Sequence, residues 1–278
     1  MTVATLNDVL RPAMTGCYAV AGLVVLGWED AKAYVEAAEE TGLPVILQAG
    51  PGCRQHTPVA VLGKMFRHLA EQATVPVVCH IDHALTLEEC RQGVDHGFSS
   101  VMLDGSMLPL AANIELTARV VEFAKSYLIS VEGEVGVVGY SGGAASAYTS
   151  AEEAATFERE TGIDALAISI GNLHLQTEKL ADINLEALRD IEAVTTVPLV
   201  LHGGSGIRSE MRRQLAAGSN VKKFNIGTEL RMAFGAALRA SLDAQPAEFD
   251  RIKLLAPTIS ASKSAAKRVL QEFARTSG

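Results

Sequence analysis

Aromatic side chains make up only 5% of this 278-residue chain, tryptophan occurs once and cysteine four times. Cys17, Cys53, Cys79 and Cys90 are spread widely and none forms a C-x-x-C pair. That usage fits reduced thiols rather than a disulfide framework. Dense runs of lysine and arginine are missing too, and 24 basic residues against 32 acidic ones leave a net charge of −8. Nucleic-acid affinity is built from clustered cations, so DNA and RNA are excluded as expected partners. The longest uncharged apolar stretch, Tyr18 to Trp28, falls short of the ~20 residues a membrane span requires and carries two glycines. The first eight residues hold neither a basic n-region nor an apolar h-region, and the expectation is a cytoplasmic protein. No Pro/Ser-rich linker divides the chain, so residues 1–278 read as one domain.

What is present is a 48% hydrophobic composition, enough for a large core, arranged in a regular alternation. Short β-branched runs predict strands at Cys17–Ala21, Val45–Ala49, Val75–Asp82, Ser100–Asp104, Ile129–Glu134, Ala165–Gly171, Leu199–Gly203 and Lys222–Gly227. Between them lie helical patterns at Glu29–Thr41, Pro58–Gln72, Leu87–Gly97, Leu110–Tyr127, Glu152–Thr161, Leu185–Val194, Glu210–Gly218 and Glu229–Leu242. Thr86 to Glu89 and Ser150 to Glu153 have the spacing of capping boxes, and Gly42, Gly97, Gly162 and Gly218 stand where helices stop. An open doubly wound sheet shares this alternation. Eight units, and a length near the ~250 residues typical of the fold, favour a (β/α)8 TIM barrel, with Pro257 to Arg275 as an extra C-terminal helix. Gly139–Ala147 reads as a mobile loop.

In such a barrel, function lies at the C-terminal ends of the strands. There the sequence places Cys79-His80-Ile81-Asp82-His83, Glu132-Gly133-Glu134, Gly171-Asn172-Leu173-His174 and His202-Gly203-Gly204-Ser205-Gly206. One such histidine alone would be read as a core or surface residue; three at one mouth read as ligands. His83, His174 and His202 would suit a first-row divalent ion, zinc first, with one open position for a substrate oxygen. Strand alternation sends His80 and Asp82 to one face and His83 to the other, so Asp82 and His83 share the mouth only if the chain turns there. Cys79 is expected to be a small buried residue. Gly203, Gly204, Ser205 and Asn225, Gly227, Thr228 follow the seventh and eighth strands. Each group leads into a helix whose free amides can hold a phosphate. Secondary candidates are His80, Gln48, Arg54 and Lys179.

These residues resemble the class II, metal-dependent ketose-bisphosphate aldolases of the fructose- and tagatose-bisphosphate type. The resemblance spans nearly the whole chain and rests on residues 80–83 (HIDH), 100–106 (SVMLDGS), 131–136 (VEGEVG), 201–207 (LHGGSGI) and 223–230 (KFNIGTEL), the last closer to the tagatose-type branch. It implies zinc on His83, His174 and His202, with Glu134 as an alternate ligand and Asp82 moving a proton at the aldehyde oxygen. It also implies a dihydroxyacetone phosphate pocket at Gly203, Ser205, Asn225 and Thr228, a monovalent cation at carbonyls near Gly203, and a homodimer or homotetramer. The implied reaction is reversible cleavage of a ketose phosphate to dihydroxyacetone phosphate and an aldehyde through a metal-stabilised enediolate.

Four departures stand against the match. Leu175 follows His174 where the family usually has Gly, Leu23 to Gly27 replaces a more polar stretch, and Gly50 stands where a Ser usually holds the substrate's far end. The loop Val137 to Ala147 is short and holds no carboxylate, although the family normally carries a proton-abstracting Glu there. Glu132 and Glu134 are the nearest replacements in sequence. Two other readings therefore stand beside the aldolase. One is a metal-dependent lyase, hydrolase or epimerase on another phosphorylated or carboxylated metabolite, and the other is a non-catalytic metabolite-binding relative.

Overall fold

The computed structural model describes residues 2–140 and 146–274. A two-residue strand β1 (Val3–Ala4) and helix α1 (Leu6–Gly16) precede the repeating units. The chain then runs β2 (Val20–Val24), α2 (Trp28–Thr41), β3 (Val45–Ala49), α3 (Pro51–His56), α4 (Val59–Gln72), β4 (Val77–Ala84), α5 (Leu87–Asp95), β5 (Ser100–Leu103) and α6 (Leu110–Lys125). It continues through β6 (Ser130–Val135), α7 (Ala151–Thr161), β7 (Ala165–Ile168), α8 (Leu185–Glu192), β8 (Leu199–Leu201), a 3-10 turn (Gly204–Gly206), α9 (Ser209–Gly218), β9 (Val221–Ile226), α10 (Thr228–Ala244) and α11 (Arg251–Phe273). Strands β2 to β9 are all parallel and close on themselves through the β4–β5 and β2–β9 pairings, giving the eight-stranded barrel.

Alternation along the strands divides the interior from the helix layer. Val20, Ile46, Val78, Ala165, Ala167 and Val200 pack inward at the bottom against Leu6, Val9, Leu10 and Ala13 of α1, which plugs the barrel. Their strand neighbours Leu47, Cys79, Ile81, Leu166, Ile168, Leu199 and Leu201 pack outward beneath the helices. Burying each such aliphatic side chain is worth roughly 1.5–3 kcal/mol, so the apolar floor and helix layer support a polar mouth that contributes little to stability of its own.

The structure corrects several expectations. The first barrel strand is Val20–Val24 rather than Cys17–Ala21, because Cys17 takes the left-handed conformation that ends α1. The sixth stops at Ile168, since Asn172 Oδ1 accepts the Ile170 amide and turns the chain. The plug α1 and the short α3 were both missed. Helix α11 begins at Arg251, and Pro257 lies inside it on the exposed face, where water can serve the carbonyl that its missing N–H leaves free. Gly218 is the last residue of α9 rather than a left-handed stop. Residues 141–145 of the Gly139–Ala147 loop, and Arg275 of the C-terminal stretch, lie outside the described residues. No helix among the described residues is long and apolar enough to cross a membrane.

Candidate active site and metal centre

His83 is brought to the mouth by an irregularity in β4. The β4–β5 register runs Ile81 to Val101 and then Ala84 to Leu103, one residue extra on β4, and His83 has φ +52°. This is the turn that the alternation demanded for Asp82 and His83 to face one cavity. Arg54 holds it in place, donating to the carbonyls of Ala49, Asp82 and His83. A guanidinium consumed in this way is not free for substrate, so Arg54, a secondary candidate from the sequence, supports the site's backbone instead.

The imidazoles of His83, His174 and His202 lie with ring centroids 4.7 to 5.8 Å apart. Each is oriented by its own contacts. Asp104 Oδ2 is 2.7 Å from His83 Nδ1, and Glu132 Oε1 is 3.0 Å from His202 Nε2. Tyr140 stacks on His174 at 4.9 Å, and the His174 amide donates to the Gly139 carbonyl. Leu175 follows at φ +59°, a backbone conformation that glycine adopts more readily.

Without a bound ion, charges at this cluster are strongly divided. Burial depresses His174, and the neighbouring His202 and His83 push it further, to about 3. Burial also opposes charge on His202, but Glu134 and Glu132 overcome it and raise this imidazole to about 10. Glu132 stays ionised despite its burial because Lys223 and His202 face it.

A divalent ion fits these residues. One nitrogen or oxygen each from His83, His174 and His202, or from His83, Asp104 and Glu134, lies within 4.8 Å of the others. His202 Nδ1 and Glu134 Oε2 are buried without a hydrogen-bond partner, 3.3 Å apart but misaligned. A carboxylate oxygen left unpaired at this depth beside imidazole nitrogens suits a cation. With Asp104 on His83 Nδ1 and Glu132 on His202 Nε2, the carboxylates behind the imidazoles fix the nitrogens left free for a metal.

Beside this cluster, Asp82 Oδ1 accepts from Gln48 Nε2 at 2.8 Å and from Asn225 Nδ2 at 3.2 Å. Burial works against its charge, yet His83 and Lys223 hold it below the usual carboxylate range. Gly22 makes room for this arrangement. A Cβ there would stand 2.1 Å from Gln48 Oε1 and 3.1 Å from Asn225 Oδ1. Asp82, His83, Tyr140, His174, Leu175, Gly203, Ser205, Asn225, Gly227, Thr228 and Arg231 line one cavity of about 300 Å³.

The glycine-rich loop is held by Arg212, which is fully buried. It donates to the Ile207 and Ser205 carbonyls and pairs with Glu229 at 2.6 Å and Glu272 at 3.1 Å. One cation thus ties the loop to the first turn of α10 and to the end of α11. Gly203 has φ +64° and packs against the Leu173 carbonyl, and its own carbonyl accepts from the Gly206 amide.

Some expected site residues lie elsewhere. His80 is fully buried beneath Asp82, with Nδ1 2.8 Å from Ser100 Oγ, and burial lowers it to about 3. It is a neutral support for the floor rather than a ligand. Lys179 is exposed and donates to Ser209 Oγ at 2.7 Å, outside the cavity lining. Gly204 is buried behind the loop. Glu132 has both oxygens engaged, by His202 and by Lys223 Nζ at 2.7 Å, and is removed as a replacement base. Cys79 is buried as expected. Asp104, Lys223, Tyr140, Arg212 and Arg231 were missed. Two carried a signal: Asp104 ends a predicted strand, and Lys223 shares the inward parity of Asn225.

The fold and site define a class of protein, a parallel barrel with a cluster of histidines at its mouth that could hold a divalent ion. The family model for class II fructose-bisphosphate aldolase matches residues 4–277, and the chain belongs to that family. A fructose-bisphosphate aldolase of Geobacillus stearothermophilus is 34% identical over 284 residues, covering 98% of this chain and 97% of that protein. A 6-phospho-5-dehydro-2-deoxy-D-gluconate aldolase of Shouchella clausii is 36% identical over 282 residues, covering 98% and 95%. Among solved structures, the YdjI aldolase of Escherichia coli K12 superimposes with a TM-score of 0.87 at 32% identity, covering 98% of each chain. The protein is an aldolase, and its barrel fold agrees with these relatives.

Proposed function

We propose that this aldolase uses zinc, held by His83, His174 and His202, to cleave a ketose phosphate reversibly to dihydroxyacetone phosphate and an aldehyde. The observation that carries the reading is the orphaned pair His202 Nδ1 and Glu134 Oε2 beside a buried, ionised Asp82. When bound, the metal supplies Lewis acidity that polarises the donor carbonyl and steadies the negative charge developing beside it.

The chain's own groups do the rest. Gly203, Ser205, Asn225, Gly227 and Thr228 receive the donor phosphate at the N-terminus of α10, where free amides favour an anion. In the cleavage direction Asp82 accepts the proton of the acceptor-side hydroxyl, and the carbon–carbon bond breaks with its electron pair left on the donor carbon. Glu134, with a free oxygen, carries a proton drawn from solvent to that carbon while Asp82 releases to solvent the one it accepted, so Glu134 takes the place of the missing loop carboxylate. Condensation is the reverse: Glu134 takes the carbon-bound proton and Asp82 delivers one to the new alkoxide. Tyr140 covers His174 and limits water at the site. A monovalent cation near Gly203, and assembly as a homodimer or homotetramer, belong to the same proposal.

Cleavage is tested by supplying metal-replete protein with ketose 1-phosphates and 1,6-bisphosphates and coupling released dihydroxyacetone phosphate to NADH oxidation. Turnover that vanishes with chelator and returns with zinc is expected. Release of inorganic phosphate, or epimerisation without cleavage, would replace this reading.

A further inference from the structure

The three imidazoles at the mouth are not held alike. His83 has Asp104 Oδ2 at 2.7 Å from its Nδ1, and His202 has Glu132 Oε1 at 3.0 Å from its Nε2, so neither ring turns without giving up a carboxylate. His174 is different. Among the described residues no carboxylate, hydroxyl or carbonyl is hydrogen-bonded to its ring nitrogens, and the residue is only half-buried. What surrounds this imidazole is other rings: His83 meets it at an interplanar angle of 67° and His202 at 46°. Tyr140 alone among them lies nearly parallel to it, at 29° with the centroids 4.9 Å apart. Offset stacking at this distance is a favoured arrangement of two rings and opposes tilting of the imidazole.

The backbone delivers Tyr140 to this position. After β6 the chain turns at Gly136, with φ +79°, where a Cβ would stand 2.8 Å from the Ala147 carbonyl. Val137 then exchanges both backbone hydrogen bonds with Ala147, at 2.8 and 3.0 Å, and its carbonyl also accepts from Ser169 Oγ. The Gly139 carbonyl accepts from the His174 amide at 2.8 Å, and Tyr140 pairs with His174 as a parallel bridge. The two stacked rings thus spring from segments bonded to each other. Burial does not account for the tyrosine, which is 51% exposed. Next to His174, Leu175 keeps a left-handed backbone, φ +59°, which a bulky residue holds only where its surroundings impose it. A strained neighbour and no hydrogen bond leave the His174 ring dependent on its one stacked partner.

We propose that Tyr140 is a positioning residue for the metal centre, its ring face orienting His174 as Asp104 and Glu132 orient the other two imidazoles. Groups behind a ligand set its direction toward the metal, and their loss typically costs about 10–100-fold in affinity. Stacking uses the face of the ring, so the phenol hydroxyl is dispensable for this role. The segment Val137–Ala147, which holds no carboxylate, contributes to the centre through an aromatic side chain. The inference rests on the three-histidine metal assignment proposed above.

The test measures zinc affinity of the wild type, Tyr140→Phe and Tyr140→Leu by competition with a chromogenic chelator, together with the Tm of each metal-free protein. We expect Tyr140→Leu to bind zinc about 10–100-fold more weakly at an unchanged metal-free Tm, and Tyr140→Phe to match the wild type. The effect should pass through His174: in a His174→Ala background, Tyr140→Leu should cost nothing further. Equal affinity in the wild type and Tyr140→Leu overturns the proposal, as does a loss in Tyr140→Phe as large as that in Tyr140→Leu. A Tyr140→Leu penalty that persists without His174, or that appears only together with a lowered metal-free Tm, shows a general structural role and overturns it as well. Wild-type protein that takes up no zinc overturns the metal assignment instead.

Discussion

Asp82 is held by two amide side chains on one oxygen, and its other oxygen faces Gly50 at the cavity. Asp82→Asn keeps the shape and removes the proton acceptor. Cleavage should fall 10²- to 10⁴-fold, the usual contribution of a positioned acid or base, with bound zinc unchanged by elemental analysis. A variant that loses its metal would assign Asp82 to the metal centre. Gly22 gives a second residue-scale prediction. The alanine methyl of Gly22→Ala would collide with Gln48 and displace the partner of Asp82. Overpacking of this kind costs about 1–3 kcal/mol, so thermal melting should show a lower Tm together with reduced kcat. Residue identities at the mouth were legible because strand ends carry function in this fold: Asp82, His83 and His174 line one cavity, and His83 lies within ligand distance both of His174 and His202 and of Glu134. Arg54 misled because sequence shows a cation beside the site without showing the backbone carbonyls that occupy it.

At the scale of elements, the irregularity in β4 and the clamp around α9, α10 and α11 decide the geometry. The first was half legible: alternation showed that Asp82 and His83 conflict unless the chain turns, but not that Arg54 would hold the turn. The second was not, since Arg212 sits in an amphipathic helix where an arginine ordinarily faces solvent and only tertiary packing buries it. Arg212→Met would strand the Glu229 carboxylate and two carbonyls. Breaking a buried pair from one side costs about 3–5 kcal/mol. Urea unfolding should report a loss of that order, and the KM for dihydroxyacetone phosphate should rise as the Ser205 loop loosens. Unchanged stability would show that the clamp is dispensable. Strand ends were read too long at Gly171 because the Asn172 side chain turns the chain, a contact with no signature in hydrophobic alternation.

For the whole molecule, the barrel and its strand count follow from alternation, whereas the plug α1 does not, because its apolar face resembles that of any surface helix. A metal held at the mouth, as proposed, would couple stability to its binding. His202 carries a proton in the metal-free protein, its charge favoured by Glu134 and Glu132 up to about 10. A metal must take the place of that proton, so uptake at pH 7 should release protons, seen as a dependence of the calorimetric heat on buffer ionisation enthalpy. Because binding favours the folded state, zinc at 100 times its Kd should add about 2.7 kcal/mol of stability.

The central claim is that this mouth makes a carbon nucleophile from dihydroxyacetone phosphate. Incubating zinc-replete protein with that compound alone in deuterated water tests it most directly, with no acceptor needed. Replacement of one carbon-bound hydrogen by deuterium, abolished by chelator, is the predicted result. A fully metallated, folded protein that leaves the compound unlabelled would contradict it.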